Sequence, residues 1–578
     1  MIGHRFSLRL AHPRRKVLAG AAFHRNSTMR LPSFDRYGDL YRDFSWRIPE
    51  DFNIGRAVSD EWAARDPERV CLEHFSPNGD HLSLTYGELS AASSMFANAL
   101  ASLGIKRGDR VALLVPQSFE TVIAHVAIYK IGAIALPLAL LFGVEALEYR
   151  LRISGAAAII TNDFGLDRVR QIRDRLPELR HVISVSDAAD ALSFADLIAS
   201  HASVFEGEKT TPDDAALMIF TSGTTGPPKG ALHGHRVLPG HIPGMQFAHE
   251  GFPKVGDKVW TPSDWAWAGG LLNALLPSLL LGVPVVSSPA QKFDADTAYR
   301  IMAEMKVRNA FIPPTALRLM RSVSDPRSKY DLVLRTVGSA GEALGRETYD
   351  WARRTLGITV NEFYGQTECN FVLSSSAAFG VTKAGAIGRA VPGHRVAIVS
   401  EAGDELPAGE SGQIAIASPD PVMFLGYWND AAATERKFLH GWLLTGDIGR
   451  QDEDGYVTFE GRDDDVITSS GYRIGPAEIE DCLTGHPAVQ LAAAVGKPDV
   501  VRTEIVKAYI VLSLGHSPSE ALAAEIREWV KMRLSMHEYP REVEFVESLP
   551  LTTTGKVIRR LLREKAAAEN SNPGRRAT

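Results

Sequence analysis

AALMIFTSGTTGPPKG, residues 215–230, is the stretch that decides the reading. Six apolar residues, Ala215–Phe220, have the length of a buried strand. They run directly into a loop of glycines and hydroxyl residues that closes on Pro227, Pro228, Lys229 and Gly230. That layout suits an anion cradle. Glycines let backbone N–H groups approach and turn inward, and Ser222, Thr224 and Thr225 add hydroxyl donors. Lys229 supplies a positive charge for phosphate oxygens. The loop is not a Walker A sequence: the spacing from Gly226 to Lys229 is wrong, and Gly230 stands where Ser or Thr is required.

Outward from this loop, apolar runs of strand length alternate with helical patterns. Val111–Val115, Ala157–Thr161, Leu217–Phe220 and Val283–Val286 are examples. The alternation predicts α/β layers with largely parallel sheets. The polar stretch His201–Asp214 reads as a link between two lobes of a large domain. Residues 269–286, GGLLNALLPSLLLGVPVV, carry no charge over 18 positions, which touches the length of a membrane span. Pro277, Pro284 and Asn273 interrupt it, so a buried helix, a turn and a buried strand are expected. Near Arg462 the texture becomes polar and glycine-bearing, and shorter elements follow. A boundary at Asp463–Asp465 leaves a C-terminal domain, 464–578, of about 115 residues, the size of one small α+β unit. Within it, Ser517 is expected as a helix N-cap, with Pro518 in the first helical position and Glu520 closing a capping box. Leu522, Ile526, Trp529 and Val530 mark that helix's apolar face.

Composition narrows the class. The 578 residues are 45% hydrophobic and 23% charged, which excludes disordered, collagen-like and coiled-coil chains. A net charge of −6 is too balanced to predict nucleic-acid or membrane binding. Three cysteines, far apart and without a CxxC pair, argue against a disulfide scaffold or a cysteine metal site. Residues 1–34 hold seven basic residues and no acidic one. They read as an unstructured tail of a cytoplasmic protein, with Met29 as an alternative start. A mitochondrial transit peptide, which would place the chain in the matrix, and a twin-arginine signal at Arg14-Arg15 are the competing readings. The final RRAT is not a peroxisomal signal.

Further motifs follow in order: GSAGEAL (Gly338–Leu344), NEFYGQTE (Asn361–Glu368), GWLLTGDIG (Gly441–Gly449), the GRDDD…SGYRIG stretch from Gly461 to Gly475, and PLTTTGKVIRR (Pro550–Arg560). Together with the phosphate loop, these motifs resemble the adenylate-forming superfamily over roughly residues 50 to 565. Within it the chain is most similar to acetyl-CoA and medium-chain acyl-CoA synthetases. The resemblance implies a large N-terminal domain, 35–463, of stacked α/β subdomains with a β-barrel-like lobe, and a small mobile α+β C-terminal domain.

It also implies roles, residue by residue. Thr221, Ser222, Gly223, Thr224, Thr225, Gly226 and Lys229 should cradle ATP phosphates. Gly341, Glu342 and Ala343 should line one side of the adenine, with Glu362, Phe363 and Tyr364 on the other and Gln366 beside them. Thr367 should touch the α-phosphate and Glu368 should hold Mg²⁺. Asp447 should accept hydrogen bonds from the ribose hydroxyls, with Arg462 beside it. Lys556 should enter the first active site and bridge carboxylate and α-phosphate, stabilising charge by electrostatics. Asp464 matches the hinge, Gly471 would let the pantetheine of CoA pass, and Arg473 would meet a phosphate. The implied reaction is two-step: a carboxylate and MgATP give an acyl-adenylate and pyrophosphate, then the CoA thiol displaces AMP. No enzyme nucleophile is needed, so Cys369 is not assigned one.

The acid is less determined. Acetate-specific relatives carry a Trp just before the QTE triplet, where this chain has Gly365, so an open pocket for medium-chain, branched or aryl acids is expected. Trp265 and Trp267 are its expected walls. An acetate or propionate ligase and an enzyme loading a carrier protein are the alternatives. His235 matches a common histidine after the phosphate loop, while His233 and His241 read as incidental. A homo-oligomer and a protein lysine acyltransferase acting on Lys556 are the expected protein partners; no nucleic acid and no membrane span are expected.

Overall fold

In the computed structural model, described residues are 36–207, 209–221, 227–288, 293–462, 465–469, 472–499, 501–534, 538–552 and 556–570. The basic tail 1–34 lies outside them. The alternation of apolar runs and helices resolves into two large sheets. One has eight strands, with Ile134–Pro137, Arg110–Leu114, Ala158–Thr161 and His181–Ser184 parallel at its centre. Ala215–Phe220 joins their parallel edge and Gly230–Gly234 returns antiparallel against it. The other has nine strands, with Thr336–Ser339 parallel to Asn309–Phe311 on one side and to Val360–Tyr364 on the other. The strands expected from sequence are present: Ala215–Phe220 has the expected bounds, and the runs expected to begin at Val111, Ala157 and Val283 begin one or two residues away.

The polar stretch His201–Asp214 does not join two lobes. It carries the chain from the helix Phe194–Ala199, behind one edge of the eight-stranded sheet, back to Ala215–Phe220 in the same sheet. Polarity reported a surface path, and surface paths occur within domains as well as between them. The uncharged stretch behaves as expected: a helix, regular at Ala268–Gly270 and Leu276–Leu280 and π-helical at Leu271–Leu275, then a strand, Val285–Ser287. Its leucines are buried in a core shared with the helices Tyr86–Ser102 and Phe119–Lys130. No helix of the described residues is long and apolar enough to cross a membrane.

An antiparallel five-stranded sheet, built on Ser411–Ala417 and Trp442–Gln451, forms the third lobe of the large domain. The small domain has its own sheet, in which Val489–Asp499 pairs antiparallel with Thr503–Leu512 and Glu542–Phe545 joins parallel. Its helix Glu520–Arg533 starts two residues later than the sequence suggested. Ser519, not Ser517, is the N-cap, accepting from Leu522 N at 3.1 Å. Pro518 stays outside the helix, where its lack of an N–H costs nothing. Ile526 and Val530 are buried on the expected face, with Leu522 and Trp529 packed beside them.

Candidate active site

The site lies beyond the carboxyl ends of the parallel strands, where open α/β sheets place their ligands. Thr336–Ser339 delivers the loop Gly341–Leu344. Gly341 has φ of 104°, a region that L side chains avoid, so the chain can turn sharply there. Glu342 is held from the earlier helix Pro314–Met320: Thr315 Oγ1 donates to both carboxylate oxygens at 3.0 Å, and Arg318 Nη1 donates at 3.1 Å. Arg318 Nη2 also donates to Ala343 O at 3.0 Å. Behind the loop, Glu362 is buried and accepts from Leu344 N at 3.1 Å. Burial pushes its carboxyl up to about 8, so at neutral pH it holds a proton.

After Tyr364 the chain makes a tight turn. Gln366 and Cys369 exchange backbone hydrogen bonds at 2.9 and 3.2 Å, which leaves Thr367 and Glu368 at the tip. Glu368 is buried, and Tyr427 donates a short hydrogen bond to its Oε1. Lys229 sits over the Tyr427 ring, 5.3 Å from its centroid. Asp447 lies opposite, with Oδ2 accepting from Tyr364 OH and from Gln366 Nε2, both at 2.6 Å. Arg462 Nη1 stands 4.0 Å from Oδ1. Burial raises the Asp447 carboxyl against these opposing partners. Both hydrogen bonds fall on Oδ2, so Oδ1 keeps acceptor capacity for a hydroxyl pair.

Lys556 comes from the small domain. A Cβ placed on Gly341 would lie 3.5 Å from Lys556 Cε, so the lysine reaches the glycine loop itself. Part of its side chain stays open to solvent. Surrounding protein lowers its ammonium below the ordinary lysine value, while Glu342 and Asp447 pull the other way. One loop, one turn and one lysine from different parts of the chain thus meet around Glu342, Asp447 and Glu368.

Sequence reasoning missed four supporting residues. Thr315 and Arg318 lie in an unremarkable stretch, and only Tyr427 carried a signal, in GYW after the five-stranded lobe begins. Lys437 is the fourth: its Nζ donates to Leu444 O and Thr445 O at 3.1 and 3.3 Å. Burial lowers its ammonium, opposed by Glu368 and Asp447. Other expected positions lie outside the described residues: Ser222, Gly223, Thr224, Thr225 and Gly226, the hinge Asp464, and Gly471. Thr221 is described and closes the loop base, its N donating to Lys229 O at 2.8 Å. Arg473 lies on the strand Tyr472–Ile474.

The acyl segment is anchored by Gln117, whose Nε2 donates to Ser263 O at 2.8 Å. Trp265 is buried and Trp267 half-buried against Phe142, and neither indole N–H has an acceptor among the described residues. Burial brings the Asp264 carboxyl up to about 6. Gly365 is not simply a missing side chain: a Cβ there would lie 2.5 Å from Asn370 Cα. The glycine is needed because two backbone segments touch. Cys369 is buried and its thiol is raised far above the ordinary range by burial, which suppresses the thiolate a nucleophile needs. His235 accepts at Nδ1 from Ile54 N at 3.1 Å and packs in the core.

Such an arrangement suits an enzyme that activates a carboxylate with a nucleotide, with a lysine supplied by a second domain. The chain belongs to the AMP-binding enzyme family, in its acyl-CoA synthetase branch: the family model covers residues 59–428, and that of the family's C-terminal domain covers 478–556. It is 33% identical over 544 residues to acetyl-coenzyme A synthetase of Bacillus subtilis, covering 91% of this chain and 94% of that protein. It is 32% identical over 566 residues to the mitochondrial acyl-coenzyme A synthetase ACSM4 of Rattus norvegicus, covering 95% and 96%. Among solved structures, the anthranilate CoA ligase AuaEII in complex with anthranoyl-AMP superposes with a TM-score of 0.84 at 29% identity, covering 91% and 99%.

Proposed function

We propose that the chain activates a carboxylic acid larger than acetate with ATP, through an acyl-adenylate, and transfers the acyl group to CoA. The observation that carries this reading is Lys556 seated beside Gly341 while Glu342, Glu368 and Asp447 face the same space. Thr315 and Arg318 fix the Gly341–Leu344 loop that would receive adenine. Asp447 Oδ1 would take the ribose hydroxyls. Lys229 and Lys556 would offset charge on the phosphates as the acid carboxylate attacks the α-phosphorus and pyrophosphate departs.

Mg²⁺ fits this donor set. Among the described residues no group of three or more His, Cys, Asp or Glu could hold a metal, and a cation shared with ATP phosphates asks for one or two carboxylates. Glu368 would hold it, oriented by Tyr427, and the ion would supply neutralisation of phosphate charge. We place the domain boundary at Asp463–Asp465, with Asp464 as the pivot. Acylation of Lys556 would remove its charge and stop the first step.

A second reading, acetate or propionate as substrate, is favoured by the Bacillus subtilis relative named acetyl-coenzyme A synthetase. AMP release with MgATP and CoA, across acids from acetate to octanoate, 2-methylbutyrate and benzoate, decides between them. Higher kcat/KM for butyrate or larger acids supports the first reading, and a preference for acetate supports the second. Adenylate without thioester would make the acceptor something other than CoA.

A further inference from the structure

The expected acyl segments meet at a belt of aromatic rings. Phe363 stacks on Phe371 with centroids 4.0 Å apart and leans on Phe311 at 5.4 Å. A Cβ on Gly269, two residues after Trp267, would lie 2.9 Å from the Phe311 ring. Walls of this kind select by size and discriminate weakly between apolar acids. Beside the belt, three polar side chains are buried: Asn370 is 8% exposed, Asn273 2% and His241 0%.

Their hydrogen bonds can be assigned atom by atom. His241 Nδ1 lies 2.6 Å from Val237 O, which can only accept, so Nδ1 carries the proton. Its Nε2 is then an acceptor and receives Asn370 Nδ2 at 3.1 Å. Burial pulls the imidazole down to about 4, which keeps it neutral at physiological pH. The other Asn370 Nδ2 hydrogen goes to Asn273 Oδ1 at 2.8 Å. Both amide orientations are thereby fixed. Two groups are left over, the acceptor Asn370 Oδ1 and the donor Asn273 Nδ2, and neither is bonded to a described residue. Neither atom is among the sealed, unpartnered polar atoms of the described residues, so both face open space in which a ligand group or a water can bond them.

Two backbone features flank the pair. Asn273 sits in the π-helical turn Leu271–Leu275, inside an otherwise regular helix. Phe371, directly after Asn370, has φ of 65°, which is costly for an aromatic residue. Such features gather at ligand sites, where local strain fixes a side chain's aim.

We propose that Asn370 and Asn273 form a polar recognition point in the acyl pocket, and that the preferred acid carries a neutral hydrogen-bonding group remote from its carboxylate. One acceptor beside one donor matches a hydroxyl or a primary amide, each of which both gives and takes. A second carboxylate is disfavoured, because the trio offers the Asn370 carbonyl oxygen and a neutral imidazole but no cation. This rests on the ligase reading above and names the substrate class for that site.

The test uses the full-length protein and near-isosteric pairs: 5-hydroxypentanoate against hexanoate, and 3-hydroxybenzoate against 3-methylbenzoate. The ratio of kcat/KM within each pair is read from AMP release in the wild type, Asn370→Leu and Asn273→Leu. At least one pair is expected to favour the hydroxyl by about tenfold or more in the wild type, with the ratio near or below one in both variants. Asn273→Leu, on a different element, keeps the test decisive if Asn370→Leu fails to fold. Methyl members preferred throughout, or a ratio the variants leave unchanged, would overturn the proposal. Quenching of tryptophan fluorescence reads acid binding without turnover. A protein that binds the hydroxylated acid selectively but releases no AMP keeps this inference and loses the ligase reading. One that turns over only the methyl-bearing acids does the reverse.

Discussion

Lys556 and Glu362 show how much a single charge depends on where the fold puts it. Lys556 is the one expected catalytic group supplied by the small domain, so its contribution should fall on the first step alone. Lys556→Ala is expected to slow acid-dependent pyrophosphate release by about 100–1,000-fold, the scale of removing one well-placed charge donor. Thioester formation from preformed acyl-adenylate should change far less, and rapid-quench assays of the two half-reactions check this. Glu362 carries a pH signature instead. Its carboxyl rises from 4.5 to about 8 on folding. Between those values the folded protein holds a proton that the unfolded chain releases, so this group's contribution to stability declines as pH rises across that window. Glu362→Gln keeps the acceptor for Leu344 N and removes the titration. Melting temperatures measured at pH 5, 7 and 9 should therefore fall less steeply with pH in the variant than in the wild type. Neither burial nor protonation state could be read from the motif, which supplied only the residue.

At the scale of elements, the loops were legible and their supports were not. GSAGEAL and NEFYGQTE announced themselves by composition, whereas Thr315 and Arg318 hold Glu342 from a helix with no distinguishing pattern. Side-chain partners across elements depend on tertiary packing, and no local period encodes it. Gly365 makes the same point from the other direction. Its identity suggested a hollow pocket floor, yet the space beside it is filled by the Asn370–Phe371 backbone. A larger residue there would push two chain segments apart. Gly365→Ala is thus expected to destabilise the protein by about 1–3 kcal/mol, the usual cost of overpacking. It should lower turnover on all acids together rather than shift preference toward acetate. Denaturant titration beside an acid panel checks both parts, and a clean switch to acetate at unchanged stability would restore the simpler pocket argument.

For the whole molecule, the question is what holds the small domain against the large one. The alternation of strands and helices made the two-domain α/β architecture readable, but the docking contacts involve residues too scattered for any pattern to mark. One contact is a helix cap supplied from another domain. The helix that starts at Arg346 has Gly345 as its N-cap, with φ of 79° and no side chain to offer. Asp481 of the small domain fills that role, its Oδ2 accepting from Arg346 N at 3.0 Å. Any Cβ on Gly345 would collide with this carboxylate. The capped helix directly continues the Gly341–Leu344 loop, so the cap ties the domain's orientation to the loop that would hold adenine. Within the small domain, Arg559 pairs with Glu480 at 2.6 Å, and Arg563 pairs with Asp465 beside the proposed pivot. Asp465, the helix that carries Glu480 and Asp481, and the lysine-bearing end are therefore braced together and should turn as one body. An N-cap is worth about 0.5–2 kcal/mol, which corresponds to a roughly 2–30-fold shift between docked and rotated states. Asp481→Ala should accordingly slow acid-dependent ATP–pyrophosphate exchange by about that factor, while thioester formation from preformed acyl-adenylate holds or rises. Equal slowing of both half-reactions would mean that Asp481 supports the fold of the small domain and not its position.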